Sequence, residues 1–269
     1  MRRPISSFHP FLYFTIVKLR RFIRRITWWF GKQKFAKTVS PNPLKYRVYK
    51  HQLVSIRLGD TALQKNKVEN LKIAVNKLNG VLIHPGETFS LCWLLGCATK
   101  RKGYLEANTI QNGRVVARIG GGLCKLPILI NWICLHSPLT VLECHQHSFD
   151  PFPDEPGVIP SGSGPTFFYN YLDYQFKNNT NYTFQFLFWQ ENEYLCGDLR
   201  VDTELPYKYY VFEANDHFVK AKGNFYRKNE VWRHKYETNS HEEPVETQLI
   251  YKNNSLVKYV PDEYISDDS

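Results

Sequence analysis

The stretch Gly120-Gly121-Gly122-Leu123-Cys124-Lys125-Leu126-Pro127-Ile128-Leu129-Ile130-Asn131-Trp132-Ile133-Cys134-Leu135 organises the reading of this 269-residue chain. Three glycines allow a tight turn with positive φ. The apolar run after them predicts a buried helix that starts near Leu123 or Cys124. Pro127 fits that helix only in its first turn, where a missing N–H costs nothing. Ser137-Pro138 stops it. A helix this apolar must be covered, and the rest of the chain supplies a sheet to do so.

Beyond Leu139 the pattern turns to strands rich in aromatic and β-branched residues. Leu139 to His147 is one expected strand. Thr166 to Phe176 and Tyr182 to Trp189 flank the turn-forming Asn178-Asn179-Thr180-Asn181 and predict a hairpin. Tyr194 to Val201, Tyr207 to Glu213, Glu230 to Tyr236 and Val245 to Tyr251 complete a largely antiparallel set. On the N-terminal side, Val68, Leu71, Ile73, Ala74, Val75 and Leu78 predict a second buried helix, ended by Asn79-Gly80. Val81-Leu82-Ile83 follows as a short strand, with a turn at Pro85-Gly86. The fold class is therefore α+β, with the helix near Cys124 packed on the sheet. The expected organisation is a basic arm over residues 1–40, an α+β domain over 41–261 and an acidic tail over 262–269.

Charge is distributed unevenly. Ten of the 35 Lys and Arg lie between Met1 and Lys37, where there is no Asp or Glu; the other 25 balance 25 acidic residues. The body is thus neutral, which argues against a basic nucleic-acid-binding face on the folded domain. From about Phe8 to Phe35, Leu12, Ile16, Leu19, Phe22, Ile23 and Ile26 recur at spacings of three and four, and predict an amphipathic helix apart from the sheet domain. Two placements follow from this pattern. Either the helix lies on an anionic membrane surface, with Arg20, Arg21, Arg24 and Arg25 toward headgroups and Trp28 and Trp29 at the interface, or it packs on the domain with a solvated basic face. The apolar stretch Phe11 to Val17 is too short to span a bilayer and lacks a secretory cleavage pattern. A cytoplasmic place, peripheral at the inner face of the membrane, is expected. The six cysteines, at 92, 97, 124, 134, 144 and 196, match no small disulfide scaffold and are read as thiols.

A cysteine at a helix start sits near unpaired N–H groups whose partial positive charge stabilises an anion. Its thiol can be acidified there and so become a nucleophile. Cys124 is the candidate nucleophile, with Gly120, Gly121 and Gly122 as tight turn and oxyanion donors. In Glu143-Cys144-His145-Gln146-His147, an extended strand puts His145 and His147 on one face and Cys144 on the other. His147 is the favoured partner for Cys124, with Glu143 orienting His145. The structural alternative makes Cys124 an inert helix start and the histidines polar residues near a sheet edge. A zinc site of both histidines with Cys124 is a weaker reading, since no CxxC or HExxH supports it. No Walker sequence or GxGxxG accompanies the glycines, so neither metal nor cofactor is expected. Cys92, Cys97 and Cys134 sit in apolar company and read as core residues. His136 falls near the helix's negative pole.

Several ordered motifs also carry a resemblance. They are Asn70-Leu71-Lys72-Ile73-Ala74, Leu78-Asn79-Gly80, Ile83 to Ser90, Gly103-Tyr104, Asn112-Gly113, the Gly-Gly-Gly-Leu-Cys stretch, Glu143 to Ser148, Asp173-Tyr174 and Asn178-Asn179-Thr180. Together, from about Asn70 to Leu199, these resemble the VanW family. The resemblance implies an accessory role tied to the cell wall and to glycopeptide (vancomycin) resistance, with no assigned biochemical activity. A cell-wall precursor is the implied ligand. The competing reading is a Cys–His hydrolase or acyltransferase working on a peptide or amide bond of such a precursor. The sequence departs from the family pattern at Lys125, where the family has Gln, and at Cys144, where it has Arg. It also departs at Gly164, where counting places a family Asp; loss of that Asp would weaken a catalytic triad.

Overall fold

A computed structural model describes residues 10–55, 62–111, 114–146, 149–150, 159–160, 164–221, 223–239 and 243–261. In chain order the first half comprises α1 (Pro10–Phe30), β1 (Tyr46–Val54), α2 (Ala62–Leu78), β2 (Val81–Ile83), β3 (Thr88–Ser90), α3 (Leu91–Leu95), β4 (Glu106–Gln111), β5 (Arg114–Ile119) and α4 (Lys125–Leu135). The second half is all strand: β6 (Thr140–Glu143), β7 (Phe149–Asp150), β8 (Gln175–Lys177), β9 (Phe184–Glu191), β10 (Tyr194–Val201), β11 (Tyr207–Ala221), β12 (Asn224–Glu237) and β13 (Glu246–Val257). The architecture is α+β, and among the described residues pairing is antiparallel except where β13 meets β7 and at the isolated Phe35–Thr88 bridge.

Four strands in the order β1-β10-β9-β2 form the sheet that receives the helices, and a second sheet runs β11-β12-β13-β7. A small sheet, β3-β8-β6, joins the first half of the chain to the second. α4 crosses β10 at Gly197, where an added Cβ would lie 2.6 Å from Ile133 Cδ1. A glycine inside a strand thus marks close helix approach. Leu126, Leu129, Ile130 and Ile133 are fully buried in this contact. Fully buried Phe89, Phe176 and Phe186 and nearly buried Phe188 pack ring on ring behind it. At about 1.5–3 kcal/mol per large buried apolar side chain, this layer dominates the stability of the body.

Pro127 is the third helical residue, as a first-turn proline must be, and the helix ends before Ser137-Pro138. α2 ends at Gly80, whose φ of 82° supplies the left-handed cap. The expected hairpin around Asn178 does not form. β8 is three residues long and pairs with β3 and β6, whereas β9 pairs with β10 and β2. Asn178 spends its side chain on other bonds, donating to the carbonyls of Ile83 and Tyr182. The expected strand from Leu139 to His147 shortens to four residues plus an isolated bridge at Gln146. Cys97, read as core, is half-exposed.

The basic helix is not set apart from the body. Arg20 and Arg21 lie over the rings of Tyr171 and Phe168, and Arg24 reaches Glu143. Trp28 packs edge-on against Trp93, at 5.3 Å between ring centroids. The expected tail over 262–269, the arm residues before Pro10, Asn112-Gly113 and His147-Ser148 lie outside the described residues.

Candidate functional site

The glycine turn is built around Asn70. This asparagine is completely buried in the apolar face of α2, where an unpaired amide would be costly. Its Nδ2 donates to the carbonyls of Leu105 and Gly121, both at 3.0 Å, and its Oδ1 accepts the Leu105 N–H at 2.8 Å. One side chain therefore ties α2, the entry to β4 and the glycine turn together. Gly120 and Gly122 take positive φ, 75° and 87°. Gly121 does not, and is required for space instead, because an added Cβ would lie 1.9 Å from the Ala107 carbonyl oxygen.

Cys124 is the N-cap of α4, with helical φ and ψ and a half-exposed side chain. It forms no side-chain cap bond. The amides of Gly122, Leu123 and Cys124 donate to no acceptor among the described residues. The Gly120 and Gly121 amides, expected as oxyanion donors, are instead spent on the Leu105 and Arg118 carbonyls, at 3.0 and 2.9 Å. Among the described residues, the run of unpaired N–H groups of the kind that stabilises an anion therefore begins at Gly122. Gly164 packs on Ile128, one turn into α4, with 3.0 Å from an ideal Cβ to Cγ1. Thr166 N–H donates to the His145 carbonyl, and Gln146 bridges to Pro165. The segment after β6 therefore runs beside the 164–166 segment, which itself packs on α4.

The structure brings His145 to Glu143 rather than to Cys124. His145 Nε2 is 2.9 Å from Glu143 Oε1, and no hydrogen bond joins it to the thiol. His147 lies outside the described residues. Cys144 lies just past the end of β6 and is exposed as a residue, although partial desolvation of its sulfur pushes the thiol up to about 11. Cys134 is pushed up to about 12 by complete burial. All six thiols are free. Among the described residues no group of three or more His, Cys, Asp or Glu could hold a metal.

A second polar cluster, legible in the sequence only as scattered motif residues, lies under α1. Arg24 makes a two-pronged bond to Glu143, at 2.8 and 2.7 Å, and stands 3.5 Å from Asp173 Oδ2. Asp173 is fully buried. It accepts from the Ser90 hydroxyl at 2.5 Å and from Gln175 Nε2 and the Cys92 and Tyr174 amides, each at 2.8 Å. Burial raises its carboxyl above the usual range, and those bonds only partly offset the effect. For Glu143, burial also works upward, but the bonds from Arg24, the Asp173 amide and His145 outweigh it and hold the carboxyl low. Burial likewise lifts the Cys92 thiol strongly. Its sulfur accepts the N–H of Asn170, a buried residue in the left-handed region. A cavity of about 450 Å³ opens beside this cluster, lined by Arg20, Arg24, Gln33, Glu143, His145 and Gln175 among others. Four of the six arm residues expected at a membrane surface, Arg20, Arg21, Arg24 and Trp28, are thus turned to the body. Arg25 and Trp29 point outward.

The class that emerges is an α+β protein with a cysteine-headed helix behind a glycine turn and a separate arginine–carboxylate cluster. This chain belongs to the VanW family, whose model, described as VanW like protein, matches residues 66–200. The Vancomycin B-type resistance protein VanW of Enterococcus faecalis is 29% identical over 265 residues, covering 96% of this chain and 94% of that protein. The Uncharacterized protein YoaR of Bacillus subtilis is 25% identical over 118 residues, covering 44% of this chain and 37% of that one. No solved structure matches this chain. The family match runs from α2 to β10, while the similarity to the enterococcal protein extends over nearly the whole chain.

Proposed function

We propose that this chain is an accessory of vancomycin resistance that acts on the cell wall by binding a wall precursor. The observation that carries this reading is the similarity to a vancomycin resistance protein along 96% of the chain. The cavity beside Arg24, Glu143 and His145 supports a binding role, since it offers donors and acceptors of both charges to a peptide-like ligand. The test is genetic. Removing this gene from a vancomycin-resistant host should lower the inhibitory concentration of vancomycin, and the wild-type copy should restore it. An unchanged concentration would remove the resistance role.

One observation favours a second reading, a Cys–His hydrolase or acyltransferase acting on a peptide or amide bond of the precursor. Cys124 is half-exposed at the head of α4, beside free backbone N–H groups suited to an oxyanion. In this reading the Cys124 sulfur attacks the carbonyl carbon as its proton passes to His147. The C–N bond breaks and that proton leaves with the amine, and water or an acceptor nucleophile then takes the acyl group from the Cys124 thioester. A thiol-reactive probe separates the two readings. Rapid neutral-pH labelling at Cys124 that slows in His147→Ala supports the enzyme, and labelling at an unaltered rate eliminates His147 as its base.

A further inference from the structure

The faces of α1 are inverted relative to an ordinary surface helix. Arg20, Arg21 and Arg24 meet the body together with buried Val17 and half-buried Trp28, and six other large apolar residues face outward. Leu19, Phe22, Ile23, Ile26, Trp29 and Phe30 follow one another at helical spacings, and all are exposed, with Phe22 at 61%, Trp29 at 80% and Phe30 at 81%. Single exposed apolar residues are common, but an unbroken ridge on one helix marks a surface made to be covered. The helix cannot roll to bury this ridge against its own body. Doing so would break the two-pronged Arg24–Glu143 pair and strip Arg21 from the Tyr169 carbonyl. Separating a largely buried pair leaves a charge without its partner.

We propose that α1 is a membrane-docking element whose outward ridge rests in the interfacial layer of an anionic bilayer, while its arginines hold the body beneath it. Charge identifies the occupant. The segment from Met1 to Lys37 carries ten cations and no acidic residue. Lys18 and Arg25, exposed on α1, and Lys32 and Lys34, exposed just beyond it, surround the ridge with positive charge. A second copy docked ridge to ridge would bring two such segments together, and like charges would oppose it. An anionic lipid surface attracts them, at roughly 1 kcal/mol per cation near the surface. No helix of the described residues is long and apolar enough to cross a membrane. A helix of 21 residues, about 30 Å long, can instead lie in the plane of the interface. Ile23 belongs both to the ridge and to the lining of the cavity beside Glu143. Docking therefore sets the mouth of that cavity at the level of the lipid headgroups. The inference is independent of the resistance reading, since it concerns where the protein sits and not what it binds there.

The test uses the full chain and vesicles of phosphatidylcholine with or without phosphatidylglycerol. Co-sedimentation should be strong with the anionic vesicles, weak with the neutral ones and reduced by salt. The triple variant Phe22→Ser, Ile26→Ser, Trp29→Ser should lose partitioning by roughly tenfold or more. Lys18→Glu with Arg25→Glu should weaken binding chiefly at low salt. These positions are exposed, so circular dichroism melts should be unchanged. Trp29→Phe provides a second reading, since it should remove a vesicle-induced blue shift of tryptophan emission. Equal binding of the wild type and the triple variant would overturn the proposal, as would failure of the wild type to bind anionic vesicles. So would a dimer in sedimentation velocity that the triple variant dissolves, because a second copy would then be the occupant.

Discussion

α1 and α4 are both helices rich in large apolar residues, yet they are held in opposite ways. α4 is sunk in the protein on nearly every side, with Leu126, Leu129, Ile130 and Ile133 fully buried and Trp132, Cys134 and Leu135 buried beside them. Arg233 from β12 closes its far end, donating to the Ser137 carbonyl at 3.2 Å, as a cation near a helix C-terminus should. α1 is held through Arg20, Arg21 and Arg24, with buried Val17 and the Trp28 ring on Trp93 beside them, and leaves the apolar ridge from Leu19 to Phe30 outside. Apolar burial is non-directional and strong, whereas arginine contacts are directional and individually modest. α4 is therefore part of the core, and α1 is an attachment with a fixed orientation.

The largest expected effect tests the first half of that contrast. Leu129→Ala should cost about 2–5 kcal/mol in urea denaturation, because the transfer energy of the side chain is lost and a cavity remains. A loss no greater than that of Arg24→Ala would break the comparison.

Acid should find α4 before it finds the α1 tie. His136, the C-cap of α4, stacks on Tyr49 with 3.7 Å between ring centroids and bonds the Trp132 carbonyl. Burial is the main cause that lowers its imidazole to about 4. The unfolded chain then takes up a proton that the folded one refuses. Stability from this group is fully present above about pH 6.5 and is lost as pH falls toward 4, by roughly 1–3 kcal/mol. Denaturation midpoints measured across that range should fall for the wild type and fall less for His136→Gln.

Arg24→Ala should release α1 rather than unfold the body. Its pair with Glu143 is two-pronged and mostly shielded from water, so a cost of about 1–3 kcal/mol is expected, confined to this docking. Limited proteolysis between α1 and β1 would report it, with the main melting transition little changed. Glu143 is held below its usual range, so the tie it makes persists above about pH 4.5 and is lost as pH falls below. Asp173 is shifted the other way and opposes this trend within the same cluster. Proteolysis of the wild type should accelerate only in that more acid window.

The smallest effect is the most telling one. Phe22→Ser on the outward ridge should change stability by no more than about 0.5 kcal/mol, since its side chain gains little by folding. A loss as large as that of Leu129→Ala would mean that the ridge is covered in solution.

Much of this was legible in the sequence wherever the signal is local. The glycines, Cys124, the first-turn Pro127 and the Ser137-Pro138 stop bounded α4, because caps and apolar periodicity belong to the segment itself. Gly80 likewise ended α2. The turn at Asn178 was also legible, but not its consequence, since the strand beside β9 was chosen by the sheet and not by the turn. Asn70 entered the sequence reading only as the first residue of the Asn70-Leu71-Lys72-Ile73-Ala74 motif. Its bonds to Leu105 and Gly121 join residues 35 and 51 positions away, and no local pattern names such partners.

What the sequence determined by itself was the inventory: an α+β chain with a cysteine at the head of a buried helix, and an amphipathic basic helix before it. What only the tertiary structure decided was direction. Periodicity divides α1 into two faces but does not say which one meets the protein. That choice rests on distant partners, the Glu143 carboxylate for Arg24, 119 residues along the chain, and Trp93 for Trp28, which turn this side inward and leave the ridge from Leu19 to Phe30 outside. The same carboxylate takes the His145 ring. Pairings of this kind are set by three-dimensional proximity between charges, and spacing along the chain does not encode them.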